Sequence, residues 1–478
     1  MDDLKYVYDK QKEITFISGT IALLVWDKNV MMPSKGINDR AEQLAMLNKQ
    51  AHEIYISPKL YTSLNKLRKQ ELKGKDKHVV ERFYKDVVKA RKIPSDFVEE
   101  LSRVTAKATH AWQQAKTDDN FKLFEPHLKK IIELKKKEAK YINLKGHPYN
   151  SLLDQYEEGM TVEKLDPIFE SLKEELKEIL KHVKKGKAKK RKFDVEGQKK
   201  VIDNVLKKMG LPEDESRRDE FMHPFTIPIS RNDVRITTKY DSSMFGFFAS
   251  VHEAGHALYE LGQPDKYYNT AVYGVPSLGA HESQSRFWEL MVAKSYPFWK
   301  YMIKDFKKAF DLKVGLKEFY DEINQVKPSL IRVTADEVTY CLHIILRYEL
   351  EKELIEGKIK VRDLPKIWNE RMKEYLGVVP KTDREGVLQD VHWSQGGVGY
   401  FPTYAIGTMY AAKIWNKIGD DYVKDLEKGE YSRILQWLRK NIHSKGRLYT
   451  ADELFKKACG DGLNSQDLIK YLKEKYVN

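Results

Sequence analysis

Five consecutive residues, His252-Glu253-Ala254-Gly255-His256, carry the chemistry most legible in this 478-residue chain. Two histidines four apart on a helix project from one face a turn apart, so both imidazoles can reach one metal ion. The glutamate between them swings beside that ion. There its carboxylate can take a proton from a water whose pKa the metal lowers, which is the hydrolytic chemistry of a zinc peptidase. Phe245, Phe247, Phe248, Val251 and Leu258 flank the motif and predict a buried helix. An unpaired buried polar group costs about 2 kcal/mol or more, and metal ligation would supply the partners these three side chains need.

The third ligand must come from elsewhere in the chain. The pattern H-E-x-x-H-x-x-G-x-x-H is broken, because Tyr259 and Gly262 stand where glycine and histidine are required. A carboxylate from a second, downstream helix is the alternative. Glu282, in His281-Glu282-Ser283-Gln284, fits that role, and a position near a helix start would favour its negative charge.

The elements that must hold these residues read as mainly α. Apolar residues recur at three- and four-residue steps over 38–71, 76–118, 121–142 and 163–182. The motif helix is expected from Ser242 to Leu261, stopping at Gly262. A second long helix is expected from about Glu282 to Lys308, kinked or broken at Pro297. Further helices are expected over 333–356, 362–375 and 402–427. The exception is 225–240, where β-branched and polar residues alternate about Arg231-Asn232-Asp233, predicting a small hairpin or sheet. No glycine-rich nucleotide loop follows a strand, which argues against a dinucleotide or ATP site.

Several further motifs stand in order around this core. They are Trp26-Asp27 with Met31-Met32-Pro33, Arg40 to Leu44, Leu152 to Glu157, Asp233-Val234-Arg235-Ile236-Thr237, Ile331-Arg332-Val333-Thr334-Ala335-Asp336, and Gly386 to Trp393 (GVLQDVHW). Together with His252–His256 and His281–Gln284, they resemble the carboxypeptidase Taq family of metallocarboxypeptidases. The resemblance implies a mainly α, two-lobed helical fold around a deep active-site cleft, with a small β-sheet near the metal site. That fold is related to the neurolysin and angiotensin-converting-enzyme folds. It implies one catalytic domain over 1–478: a helical N-terminal part (1–200) forming a cleft wall, a motif-bearing core (220–410) and C-terminal helices (411–478). It also implies removal of single C-terminal amino acids with broad specificity by a homodimer using Zn²⁺ or Co²⁺, with Glu282 as third metal ligand. Leu290 and Lys239 depart from the Asn and Arg common in the family.

Recognition of a free terminal carboxylate suits an arginine, through two parallel charge-assisted hydrogen bonds. Arg332 is the first candidate and Arg235 the second. Each has a structural alternative as an ion-pair partner, Arg332 with Asp336 and Arg235 with Asp233. His392 and Tyr404 are candidate donors to the oxyanion of the tetrahedral intermediate. Asp233 and Asp336 are candidates for orienting the ligating imidazoles.

Composition narrows the alternatives. The net charge is +14 and its densest piece is the run Lys181 to Lys192, read as a solvated helix end and loop. No nucleic-acid-binding motif accompanies it, so a basic nucleic-acid scaffold is the remote alternative and a metallo-endopeptidase the near one. Two cysteines, Cys341 and Cys459, make no disulfide framework. The N-terminus lacks a secretory pattern, and Ile21 to Trp26 is too short to span a bilayer. The expected location is cytoplasmic, without membrane association.

Overall fold

A computed structural model describes residues 3–183 and 191–477, so most of the basic run at Lys181 to Lys192 lies outside the described residues. The chain is mainly helical. Six helices open it: α1 (Asp3–Val30), α2 (Ile37–Ile56), α3 (Pro58–Arg68), α4 (Gly74–Ala90), α5 (Ser95–Thr117) and α6 (Phe121–Ile142). A single turn, α7 (Asn150–Leu153), then α8 (Val162–His182) and α9 (Val195–Met209), lead into strands β1 (Ser216–Glu220), β2 (Thr226–Ser230) and β3 (Asp233–Thr238). Helices α10 (Phe245–Leu261), α11 (Leu278–Arg286), α12 (Tyr296–Phe310), α13 (Leu316–Ile323), α14 (Tyr340–Glu356) and α15 (Leu364–Leu376) follow. The chain closes with α16 (Pro402–Ile418), α17 (Asp420–Leu426), α18 (Ser432–Asn441), α19 (Ala451–Cys459) and α20 (Gln466–Tyr476).

Helix periodicity located most of these segments but not their breaks. The expected 38–71 helix divides at Ser57-Pro58, where Ser57 caps α3 by accepting from the Leu60 amide. The 76–118 helix divides before Pro94, whose extended backbone cannot continue a helix. The expected Glu282–Lys308 helix is three pieces: α11, a π-helical stretch over Phe287–Ala293, and α12. Pro297 sits in the first turn of α12, where its missing N–H costs nothing, and kinks no helix. The 333–356 helix begins only at Tyr340, and the 402–427 helix breaks at Gly419, which has φ 73°. Periodicity does not single out α1, α7, α9 or α13.

The hairpin at 225–240 is present as β2 and β3, antiparallel, with a register irregularity between Pro228 and Ser230. An unanticipated third strand, β1, pairs parallel with β3 and gives the order β1-β3-β2. Val234 and Ile236 of β3 are buried in the main core together with Val251 and Ala254 of α10. The sheet therefore backs the motif helix.

The described residues form three apolar clusters, the smallest of them about Val79, Tyr267 and Val272. The largest runs through α5–α20. A smaller one joins α1, α3 and α4 through Val7, Ile14, Leu60, Leu64, Val80 and Phe83. Both cysteines are free. Among the described residues, no helix is long and apolar enough to cross a membrane.

Candidate active site

Helix α10 carries His252, Glu253 and His256, and its close contact with α11 depends on Gly255. A Cβ there would meet the Gln284 carbonyl oxygen at 2.7 Å and the Ser285 Cα at 2.8 Å. On the other side of α11, a Cβ at Gly407 of α16 would meet the Cβ of Glu282 at 2.6 Å. Glycine at both positions lets two helices close on the helix that bears Glu282. The start of α11 is fixed as well. Ser277 accepts from the Ala280 amide, and the buried Glu157 carboxylate accepts from the Gly279 amide. Glu282 lies in the second turn of α11 rather than near its start, so neighbouring side chains stabilise it more than the helix dipole does.

The three sequence-predicted ligands converge. One donor atom from each of His252, His256 and Glu282 lies within 4.8 Å of the others. Glu282 Oε2 is 3.4 Å from Nε2 of both imidazoles. Behind them stands Glu289, whose Oε2 is 2.8 Å from His252 Nδ1. Arg286 donates to Glu282 Oε1 at 2.7 Å and to Glu289 at 3.3 Å, and Ser285 donates to Glu282 Oε2 at 2.9 Å. His256 stacks on His281, with ring centroids 4.1 Å apart, and its buried Nδ1 has no hydrogen-bond partner among the described residues.

The electrostatics fit a divalent cation. Burial pushes His252 down, but the carboxylates of Glu282 and Glu289 outweigh it and hold the imidazole up at about 10. Burial pushes Glu282 up, yet His252 and Arg286 hold it well below the usual carboxylate range. Burial, with His281 adding to it, pushes His256 down to about 3, which leaves a neutral imidazole suited to ligation. With both imidazoles neutral, as ligation requires, the carboxylates of Glu282 and Glu289 share one guanidinium, Arg286. A divalent ion between the imidazoles and Glu282 would balance that excess with the borderline N/O donors zinc prefers.

Glu253 is 5% exposed, and its Oε2 accepts from the Thr226 hydroxyl at 2.6 Å. Burial pushes its carboxyl up from the ordinary value, which makes it a stronger base.

A second cluster gathers Arg332, His392 and Tyr404. Arg332 is buried and donates from Nε and Nη2 to Asp390 Oδ1 at 3.1 and 2.8 Å, and from Nη1 to the Tyr340 hydroxyl at 3.1 Å. Its sequence-expected partner, Asp336, is elsewhere: that carboxylate accepts from the Val338 and Thr339 amides ahead of α14. Asp390 also accepts from Arg347 Nε at 2.7 Å, and Arg347 is wholly buried over Trp368. His392 Nε2 lies 3.1 Å from the Tyr404 hydroxyl. Burial pushes His392 down to about 3, against the opposing pull of Asp390. The two clusters meet at Tyr340. Arg286 lies 4.0 Å from its ring centroid, and Arg332 bonds its hydroxyl.

Arg235 lies apart from both clusters. It forms a bidentate pair with Asp233 at 2.9 and 2.8 Å and lies 4.4 Å from the Trp26 ring of α1. Strand alternation puts it on the face opposite Val234 and Ile236, which pack toward α10. Asp233 and Asp336 do not orient the imidazoles as expected, since both are committed to these local bonds and Glu289 serves His252 instead. The sequence did hold a signal for Glu289: it is the one carboxylate in the apolar run Phe287–Ala293. Asp390 stands inside the Gly386–Trp393 motif but without an assigned role, and Arg347 had no comparable local signal.

The comparisons agree with this geometry. The model of the carboxypeptidase Taq (M32) metallopeptidase family matches residues 6–476. The chain belongs to the M32 family. This M32 chain is 38% identical to carboxypeptidase 1 of Bacillus subtilis, with 99% of this chain and 98% of that protein covered. It is 37% identical to thermostable carboxypeptidase 1 of Pyrococcus furiosus, with 100% and 99% covered. Among solved structures, the M32 carboxypeptidase of Deinococcus radiodurans superposes with TM-score 0.96 at 32% identity, covering 100% of this chain and 99% of that one. A Pyrococcus furiosus carboxypeptidase structure gives 0.95 at 37% identity, with the same coverage. The chain is thus a metallocarboxypeptidase, and its family implies a divalent metal and peptide substrates.

Proposed function

We propose that this enzyme removes single amino acids from peptides with a free C-terminus, with broad specificity, using Zn²⁺ held by His252, His256 and Glu282. Co²⁺ can take the same N/O donor set. A divalent ion in this position acts as a Lewis acid toward the scissile carbonyl and the attacking water.

The chain's own residues do the rest. Glu253 takes the water's proton as the oxygen attacks, then passes it to the leaving amine. Arg332 fixes the substrate's terminal carboxylate. Its bonds to Asp390 and Tyr340 use three of its five N–H donors and leave two for a ligand. His392, held neutral, and Tyr404 donate to the developing oxyanion. Glu289 holds the His252 ring in orientation through its Nδ1. Arg235 is left as a partner of Asp233. A homodimer in the cytoplasm is the expected form, and sedimentation at micromolar concentration would test the assembly.

The observation that carries this reading is the joining through Tyr340 of a carboxylate-rich ligand cluster and a guanidinium-rich cluster. The test compares one peptide with a free and an amidated C-terminus, with chelator, Zn²⁺ or Co²⁺. Metal-dependent release of single residues from the free peptide alone is expected. Internal cleavage of both peptides would move the activity to an endopeptidase, and no cleavage with either metal would overturn the catalytic reading.

A further inference from the structure

We infer that Thr226 is the positioning residue that aims the base, an inference that rests on the assignment of Glu253 to that role. Thr226 opens β2 and its side chain reaches α10, with Oγ1 2.6 Å from Glu253 Oε2 and 3.1 Å from the Glu253 carbonyl oxygen. A hydroxyl has one proton to give, and the shorter, charge-assisted contact to the carboxylate takes it. Among the described residues, no other side chain or amide donates to this carboxylate. One oxygen is therefore pinned and the other is free to meet the water.

The strand makes this hydroxyl a fixed point. Thr226 pairs with Ile236 of β3, and the neighbouring Phe225 and Thr237 exchange bonds, Phe225 N to Thr237 Oγ1 at 3.0 Å and Thr237 N to Phe225 O at 2.9 Å. From the other side, α1 presses on β2. A Cβ at Gly19 would meet the Ile229 carbonyl oxygen at 2.5 Å. A β-branched residue on such a strand has little χ1 freedom, so threonine holds its hydroxyl in one direction. A glutamate has three rotatable bonds. Without this anchor, its carboxylate would spend only part of its time in the geometry that takes a proton. The hydroxyl acts through Glu253, and its hydrogen bonds go to no metal-ligand side chain.

The test uses the full chain loaded with Zn²⁺ and compares T226V, T226S and E253Q. Each is read by kcat, KM, zinc affinity from chelator competition, and melting temperature. Valine keeps the shape and branching and removes the proton donor. Expected is a fall in kcat of about 10- to 100-fold for T226V, the range for loss of a supporting hydrogen bond, with KM and zinc affinity unchanged. T226S should recover most of kcat, because the donor returns. T226V placed on E253Q should cost nothing further, since the base it aims is already gone. Wild-type kcat in T226V beside an inactive E253Q would overturn this inference alone, as would equal damage from valine and serine or a loss that follows zinc affinity. An active E253Q would overturn the base assignment, and this inference with it.

Discussion

The cluster on α10, α11 and the π-helical stretch sets the carboxylates of Glu282 and Glu289 against the single guanidinium of Arg286. The cluster around Asp390 sets two guanidiniums, Arg332 and Arg347, against one carboxylate. Both are buried, and buried charge without compensation is expensive. With the imidazoles neutral, as ligation requires, the two imbalances are opposite, which fits the proposed ligands, a cation in the first and a substrate carboxylate in the second. The clusters are also built differently. The first lies on α10 and α11, packed through glycine, and on the π-helical stretch that continues α11. The second is assembled from α14, α16 and two irregular segments, and the segment bearing His392 is strung over Glu351, which accepts from Trp393 Nε1 at 2.7 Å, Tyr149 OH at 2.6 Å and Gly399 N at 2.9 Å.

That contrast can be broken from either side. Arg332→Met should have the largest effect. It leaves Asp390 balanced by Arg347, so the fold persists, but kcat/KM on free-terminus peptides should fall about 10²- to 10³-fold. The preference for free over amidated peptide should collapse with it. Full retention of that preference would remove Arg332 from recognition. Asp390→Asn does the reverse and leaves two buried cations unpaired. Urea denaturation should show a loss of about 3–5 kcal/mol. A stability equal to wild type would show that the cluster is not charge-frustrated.

Glu289→Gln acts only on the first cluster. Zinc affinity should weaken about 10- to 100-fold by chelator competition, while the discrimination between free and amidated peptides is kept. If discrimination falls and affinity does not, the two clusters are not separable in this way.

The smallest effect concerns the carboxylates that prop each cluster. Burial pushes Glu157, beneath α11, up to about 8, and Glu351, beneath the His392 segment, up to about 7, each from 4.5. Both groups bind a proton more tightly folded than unfolded. Their stabilising contribution is complete below about pH 4.5 and is lost as pH rises through the folded values, at no more than about 1.4 kcal/mol per pH unit each. Glu157→Gln and Glu351→Gln should each flatten the decline in stability between pH 5 and pH 8 as followed by thermal melts. Unchanged slopes would mean these carboxylates titrate normally.

The sequence by itself determined the first cluster almost entirely. An i, i+4 histidine pair with an intervening glutamate is geometry that any helix enforces, and Glu282 needed only a second helix packed close. The mainly helical class and the hairpin about Arg231-Asn232 were legible for the same reason, since periodicity is local. The breaks at Pro58 and Pro94 were legible too, since a missing amide ends the ladder locally. Tertiary structure decided the rest. It added β1, whose partner alternation does not fix. It gave Arg332 to Asp390, 58 residues away, rather than to nearby Asp336, and turned Arg235 toward Trp26. Which charges face one another across such separations depends on how helices pack, and no short stretch of sequence carries that information.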